Sequence, residues 1–271
     1  MQGNFRNKTI ILAGFLLLLG LFVASCATTK HKVLMTPEAR LKHAIELFNK
    51  GHYLDAKTEL TIIVLNYPGS SVVDEAQYYL AESHFKLKEY ILAAAEYEKL
   101  IRNYPDSKYA DKARYKIGLC YYELSPNYGL DQKYTLKAID EFQRFLEDYP
   151  HSPLRKDVEE KLQKCREKLA KKDYKAAELY RKMSEWRAAE IYYRSVEDKY
   201  YDTSFGPKAL FWIGESQFHL GKLDEAASTF QQYLNKFPKG KYAGRAERRL
   251  KQIARLQKEQ EKKKAAQSAK K

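Results

Sequence analysis

The chain has 271 residues, with 49 Lys and Arg against 35 Asp and Glu and a formal net charge of +14. That length suits a long repeat array or one to two globular domains, and three cysteines exclude a disulfide framework. The placement of charge argues against a nucleic-acid binder. From Lys239 onward 13 Lys and Arg stand against 3 Asp and Glu, a net +10, while residues 26–238 carry only +2. The body therefore lacks the basic face that phosphate neutralisation needs.

In chain order, residues 1–25 read as a lipoprotein signal peptide. Arg6 and Lys8 give a positive start, and an apolar core runs from Ile10 to Ala24. At about fifteen residues that core is shorter than the roughly 20 needed to span hydrocarbon. Val23-Ala24-Ser25-Cys26 resembles a bacterial lipobox, in which the peptidase cuts before the cysteine and the thiolate accepts diacylglycerol. Cys26 is thus the expected lipid attachment, and two or more acyl chains anchor stably where one does not. Ala27 resembles the residue found after the cysteine in enterobacterial lipoproteins exported to the outer membrane. Residues 26–36 follow as a lipidated tether.

Residues 37–238 contain five copies of one pattern. Asn66-Tyr67-Pro68, Asn103-Tyr104-Pro105, Asp148-Tyr149-Pro150 and Lys236-Phe237-Pro238 mark four repeat ends. Small residues recur at Ala44, Ala81, Gly118, Ala177 and Gly214, and again at Ala56, Ala93, Ala138, Ala189 and Ala226. Four residues after the second set come Leu60, Tyr97, Phe142, Tyr193 and Phe230. The physics is that of paired antiparallel helices: small residues on both let the backbones approach, and the aromatic fills space towards the next pair. The spacing resembles the tetratricopeptide pattern, with a period of 37 residues. It predicts an all-α solenoid of five helix pairs. Copy three carries eight extra residues in Ser125–Thr135, and the first helix of copy four is lengthened by fourteen. The Ser and Asp residues after each proline are expected to cap the next helix. Residues 239–271 read as a C-terminal capping helix that frays after about Gln260 into a basic tail.

Chemistry is sparse. The six histidines form no metal-binding spacing, and no phosphate loop, dinucleotide fingerprint or nucleophile elbow occurs. No catalytic residue, metal or cofactor is expected. Cys120 and Cys165 stand at registers offset by fourteen residues, about 21 Å along a helix, and are expected to be free thiols. One constellation stands out in the first helix of each pair. Three residues before the small residue lie Leu41, Tyr78, Tyr115, Tyr174 and Phe211, and four after it lie Phe48, Phe85, Tyr122, Arg181 and Phe218. Each pair is seven apart and shares a helical stripe. Two readings stay open: a seal between adjacent helices, or a concave peptide groove with Tyr78, Phe85, Tyr115 and Tyr122 as its ladder.

The lipobox, short tether, five repeats and charged terminal helix together resemble the BamD (ComL-like) lipoproteins of the outer-membrane β-barrel assembly machinery. The segment Asn66–Tyr122 carries most of the likeness. The resemblance implies a non-enzymatic adaptor on the periplasmic face of the outer membrane. It further implies docking on the barrel-forming subunit and accessory lipoproteins, and receipt of unfolded barrel precursors. The alternative is another tetratricopeptide envelope scaffold, such as a Tol–Pal-associated coordinator or a peptidoglycan-linked adaptor.

Overall fold

The computed structural model describes residues 35–268, so Cys26, the signal segment and most of the tether lie outside the described residues. The described residues form eleven α-helices and no strand. Five antiparallel pairs follow one another. They are α1 (Pro37–Asn49) with α2 (Tyr53–Asn66), α3 (Val73–Lys86) with α4 (Tyr90–Asn103), and α5 (Ala110–Leu124) with α6 (Lys133–Asp148). Then come α7 (Arg155–Lys182) with α8 (Trp186–Tyr200) and α9 (Gly206–His219) with α10 (Leu223–Lys236). Helix α11 (Ala243–Ser268) closes the array. The expected solenoid of five pairs and a cap is the fold.

The small residues set the spacing inside each pair. Ala44, Ala81, Ala177, Ala56, Ala93, Ala138, Ala189 and Ala226 are all fully buried. A Cβ on Gly118 would sit 2.5 Å from the Phe142 ring, and one on Gly214 would sit 2.8 Å from Phe230. Both are inside ordinary carbon–carbon contact, so the second-helix aromatic lies on the small residue of its own repeat. The sequence reading had it filling the gap to the next repeat. The choice of residue follows: Gly accompanies Phe in repeats three and five, while Ala accompanies Leu60, Tyr97 or Tyr193. Turns inside the pairs enter the left-handed region at Gly51, Lys88, Ser184 and Gly221, with φ of 83°, 62°, 64° and 74°. Such a residue ends a helix so that the chain can reverse.

The loop serines do not cap helices as expected. The side-chain cap is at α1, where Thr36 Oγ1 accepts the Ala39 N–H at 3.3 Å; α3, α5 and α7 have none. Ser107 and Ser152 accept only the N–H two residues on, at Tyr109 and Leu154, and bond back to the preceding first helix. Ser107 Oγ donates to Asp74 at 2.7 Å and Ser152 Oγ to Asp111 at 2.9 Å, making rungs between successive pairs. Ser70 holds the equivalent place in the first loop, and its buried hydroxyl has no partner, because Pro37 stands where the aspartate would be.

Helix α7 works twice. Its start, with Val158 and Cys165, packs on Phe142 and Phe145 as the next first helix for repeat three. Its end, with Tyr174 and Ala177, packs on Ala189 and Tyr193 to open repeat four. The extra residues of repeat three lie against it: Lys168 Nζ donates to Ser125 Oγ at 2.6 Å, and Lys172 Nζ to the Leu130 carbonyl at 2.9 Å. Helix α11 continues to Ser268, well past the expected fraying point. Its distal residues are Lys, Glu, Gln and Ala, strong helix formers, with no Gly or Pro to stop them.

Candidate functional site

The stripe on the first helices divides into two rows that do different things. The first row turns into the seams. Tyr78 stacks on Tyr109 with centroids 4.5 Å apart and lies 5.9 Å from Tyr97. Tyr115 packs 6.2 Å from both Phe142 and Phe145. Tyr174 meets Phe205 at 5.2 Å, and Phe211 stacks on Tyr242 at 4.5 Å. Burial pushes the phenols of Tyr78, Tyr115 and Tyr174 above their ordinary range, with nearby carboxylates adding to it at Tyr78. These rings act chiefly as packing.

The second row lies between neighbouring first helices, and most of its members form cation–aromatic pairs. Lys116 Nζ sits 4.7 Å from the centre of Phe85, and Lys161 Nζ sits 4.7 Å from that of Tyr122. Arg249 covers Phe218 at 4.3 Å. Repeat four inverts the arrangement: Arg181 lies over Trp212 at 4.3 Å. At the amino-terminal end an aromatic edge replaces the cation, Phe48 against Tyr79 at 5.4 Å. Phe85 and Tyr122 remain half-buried.

Two of these cations rest on buried glutamates. Lys116 Nζ is 2.7 Å from Glu82, whose carboxylate also accepts the Tyr97 hydroxyl at 2.5 Å. Arg249 holds both oxygens of Glu215, at 2.8 and 3.0 Å. Glu82 and Glu215 are 6% and 3% exposed, a burial that a carboxylate tolerates only when paired and hydrogen-bonded. Each glutamate follows the small residue of its helix, and each cation comes thirty-four residues later. The sequence reading missed these partners. The signal was nonetheless periodic, because Tyr79, Lys116, Trp212 and Arg249 each stand thirty-one residues after a second-row residue. Lys161 fits once the eight extra residues are counted.

Such a surface can stack and clamp side chains, and it offers no bond-making chemistry. Among the described residues, no group of three or more His, Cys, Asp or Glu could hold a metal ion. No described helix is long and apolar enough to cross a membrane. Cys120 and Cys165 are free and buried, and burial pushes their thiols up to about 12 and about 11.

Paired helices stacked in register, with aromatic and cationic rows on the first helices, define a tetratricopeptide-type scaffold. Residues 35–229 match the outer membrane lipoprotein family YfiO, and the chain belongs to that family. Among its relatives is the outer membrane protein assembly factor BamD of Rickettsia prowazekii. It is 27% identical over 246 residues, which are 90% of this chain and 98% of that one. The protein of the same name in Caulobacter vibrioides is 27% identical over 108 residues, 40% of this chain and 35% of that one. Among solved structures, the TPR2AB domain of yeast Sti1, in complex with a pHSP90, aligns at 14% identity. Its TM-score is 0.43, over 82% of this chain and 84% of that one. A thermophilic TPR protein of Thermus thermophilus aligns at 19% identity and a TM-score of 0.35, over 79% and 99%.

Proposed function

We propose that this protein is a lipid-anchored periplasmic adaptor that helps assemble β-barrel proteins into the outer membrane. The match of residues 35–229 to an outer membrane lipoprotein family carries the reading. It is supported by a relative named as an assembly factor that aligns over nearly its whole length. In this reading Cys26 carries the lipid on the inner leaflet of the outer membrane. The repeats dock on the barrel-forming subunit and its accessory lipoproteins, and a groove on the first helices receives unfolded barrel precursors. The protein works as a scaffold, not as an enzyme.

Of the four ladder residues, Phe85 and Tyr122 supply the contact faces, while Tyr78 and Tyr115 hold the helices that present them. A carboxy-terminal barrel peptide tests this by titration against variants of the full-length chain in detergent. Phe85→Ala and Tyr122→Ala should each weaken binding by more than about 2 kcal/mol, as aromatic anchors do, with a smaller loss of melting temperature than Tyr78→Ala. Tyr78→Ala should instead lower stability by about 3–5 kcal/mol, as removal of a packed aromatic does. Full binding retained by both Phe85→Ala and Tyr122→Ala would remove the groove from the proposal.

A further inference from the structure

The last seam has more cation than the fold uses. A cavity of about 300 Å³ between α9 and α11 is lined by Glu215, Arg245, Arg248, Arg249 and Gln252. Arg249 takes both oxygens of Glu215 and also donates to Gln252 Oε1 at 2.7 Å. Arg245 reaches Glu215 only at 3.8 Å. Arg248 has no carboxylate within ion-pair distance among the described residues. Three guanidiniums around one carboxylate leave a net charge of +2.

Stacking holds Arg245 in place. The Arg245 guanidinium lies 4.7 Å from the centre of Phe211, 5.3 Å from Trp212 and 5.7 Å from Tyr242. A guanidinium laid on aromatic faces keeps its in-plane N–H groups available for a planar acceptor. Arg181 lies on the same Trp212, and its buried Nε has no partner. Glu178, one residue past the small Ala177, corresponds in register to Glu82 and Glu215. It is bonded to Lys175 at 2.7 Å instead. At the equivalent place in repeat two, Glu82 neutralises Lys116. Repeat four therefore departs from a pattern that repeats two and five satisfy internally.

We infer that this cavity is a receptor for a carboxylate of a partner polypeptide, with Arg245 and Arg248 as donors. The cavity already holds one carboxylate in bidentate geometry, Glu215 on Arg249. Paired guanidinium and carboxylate forks give the strongest charge-assisted bonds of this kind. Glu215 in the wall also repels densely charged polyanions, so a singly charged carboxylate suits a net +2 better than a phosphate chain. The site is on α9 and α11, away from Phe85 and Tyr122, and goes beyond the peptide groove.

Fluorescence anisotropy on the full-length chain in detergent tests the assignment. The probes are a labelled Gly-Ser peptide carrying a single Glu and amidated at its carboxy terminus, and a neutral Gly-Ser peptide in free-acid and amide forms. Binding of the single-Glu amide identifies a side-chain carboxylate as the ligand. Binding of the neutral free acid but not its amide identifies a chain terminus. The double variant Arg245→Gln, Arg248→Gln should weaken the bound probe by roughly tenfold or more, as loss of hydrogen bonds to a charged group does. Arg248→Gln alone, at an exposed residue that does not pack on the aromatics, should weaken it while leaving melting unchanged. Arg255→Gln, exposed on the same helix, should leave binding intact. No binding by either acid, equal loss in Arg255→Gln, or full binding by the double variant would overturn the assignment.

Discussion

Gly118→Ala is the sharpest perturbation of the packing. The added Cβ would lie 2.5 Å from both Cδ1 and Cε1 of Phe142 and 3.2 Å from Cζ. Comfortable carbon contacts begin near 3.5 Å, so the ring must retreat by about 1 Å. Phe142 is fully buried, among Tyr115, Phe145 and Cys165, and has nowhere to go. Overpacking of this kind costs about 1–3 kcal/mol, and the geometry places it towards the upper end. Replacing Gly by Ala inside a helix returns about 1 kcal/mol. The net loss is then about 1–2 kcal/mol, or roughly 3–6 °C in melting temperature for a chain of this size. Gly214→Ala, with its nearest Phe230 atom at 2.8 Å, should lose less. Repeat one supplies a rescue, since Ala44 there accompanies Leu60. Gly118→Ala with Phe142→Leu should therefore be more stable than the sum of the single changes allows. Thermal melting by circular dichroism of all four variants decides it. A Gly118→Ala protein that melts at or above the unchanged chain would refute the close-approach argument.

Other consequences are simpler to read. Cys120 and Cys165 should resist alkylation at pH 8 in the folded protein and react once it is denatured, because burial leaves almost no thiolate. Rapid labelling of the folded chain, or a 120–165 bridge by non-reducing mass spectrometry, would contradict their placement. Arg166 grips Asp202 at 2.5 and 2.9 Å, and this bond holds the carboxyl below its ordinary range. The depressed value means that the pair stabilises above the ordinary carboxylate range, and that this is lost as pH falls through the depressed value. Asp202→Asn should accordingly lower stability at neutral pH by no more than about 1 kcal/mol, the pair being partly exposed. The gap to the unchanged chain should close in strong acid, and a gap that persists there would contradict the cause. Cys26→Ala should accumulate an unprocessed precursor at the inner membrane, and intact mass of the unchanged protein should show acylation on Cys26. Recovery of that protein with Met1 still attached would rule out the lipobox.

The helix pairs were legible because close backbone approach leaves few choices of residue. Ala44, Gly118 and Gly214 are small for a reason that any reader of spacing can find. The doubled duty of α7 was less legible. Its fourteen extra residues looked like a lengthened first helix, whereas Val158 and Cys165 complete the repeat before it. Ser107 and Ser152 were misread because a serine before a helix usually caps it. Here the hydroxyl donates to a long-range partner, Asp74 or Asp111, while its oxygen accepts only the N–H of Tyr109 or Leu154, just before the helix. The stripe was visible as a stripe but not as two rows. Tyr78 and Phe85 share a helix face, and what separates them is the residue that comes thirty-one places later, Tyr109 for one and Lys116 for the other. That rule needs consecutive first helices to be in register, which only the assembled array provides. Arg245 beside Trp212 was hidden for the same reason, since the terminal segment read as a solvated basic helix.

The central claim is that this scaffold serves the assembly of outer-membrane barrels. Affinity purification of the tagged full-length chain from detergent-solubilised envelopes, with partners quantified by mass spectrometry, addresses it directly. The account predicts recovery of a barrel-forming outer-membrane subunit in near-stoichiometric amount, accompanied by unfolded barrel precursors that are depleted in the Phe85→Ala and Tyr122→Ala proteins. Recovery of Tol–Pal components or peptidoglycan-linked proteins, with no barrel-forming subunit, would contradict it.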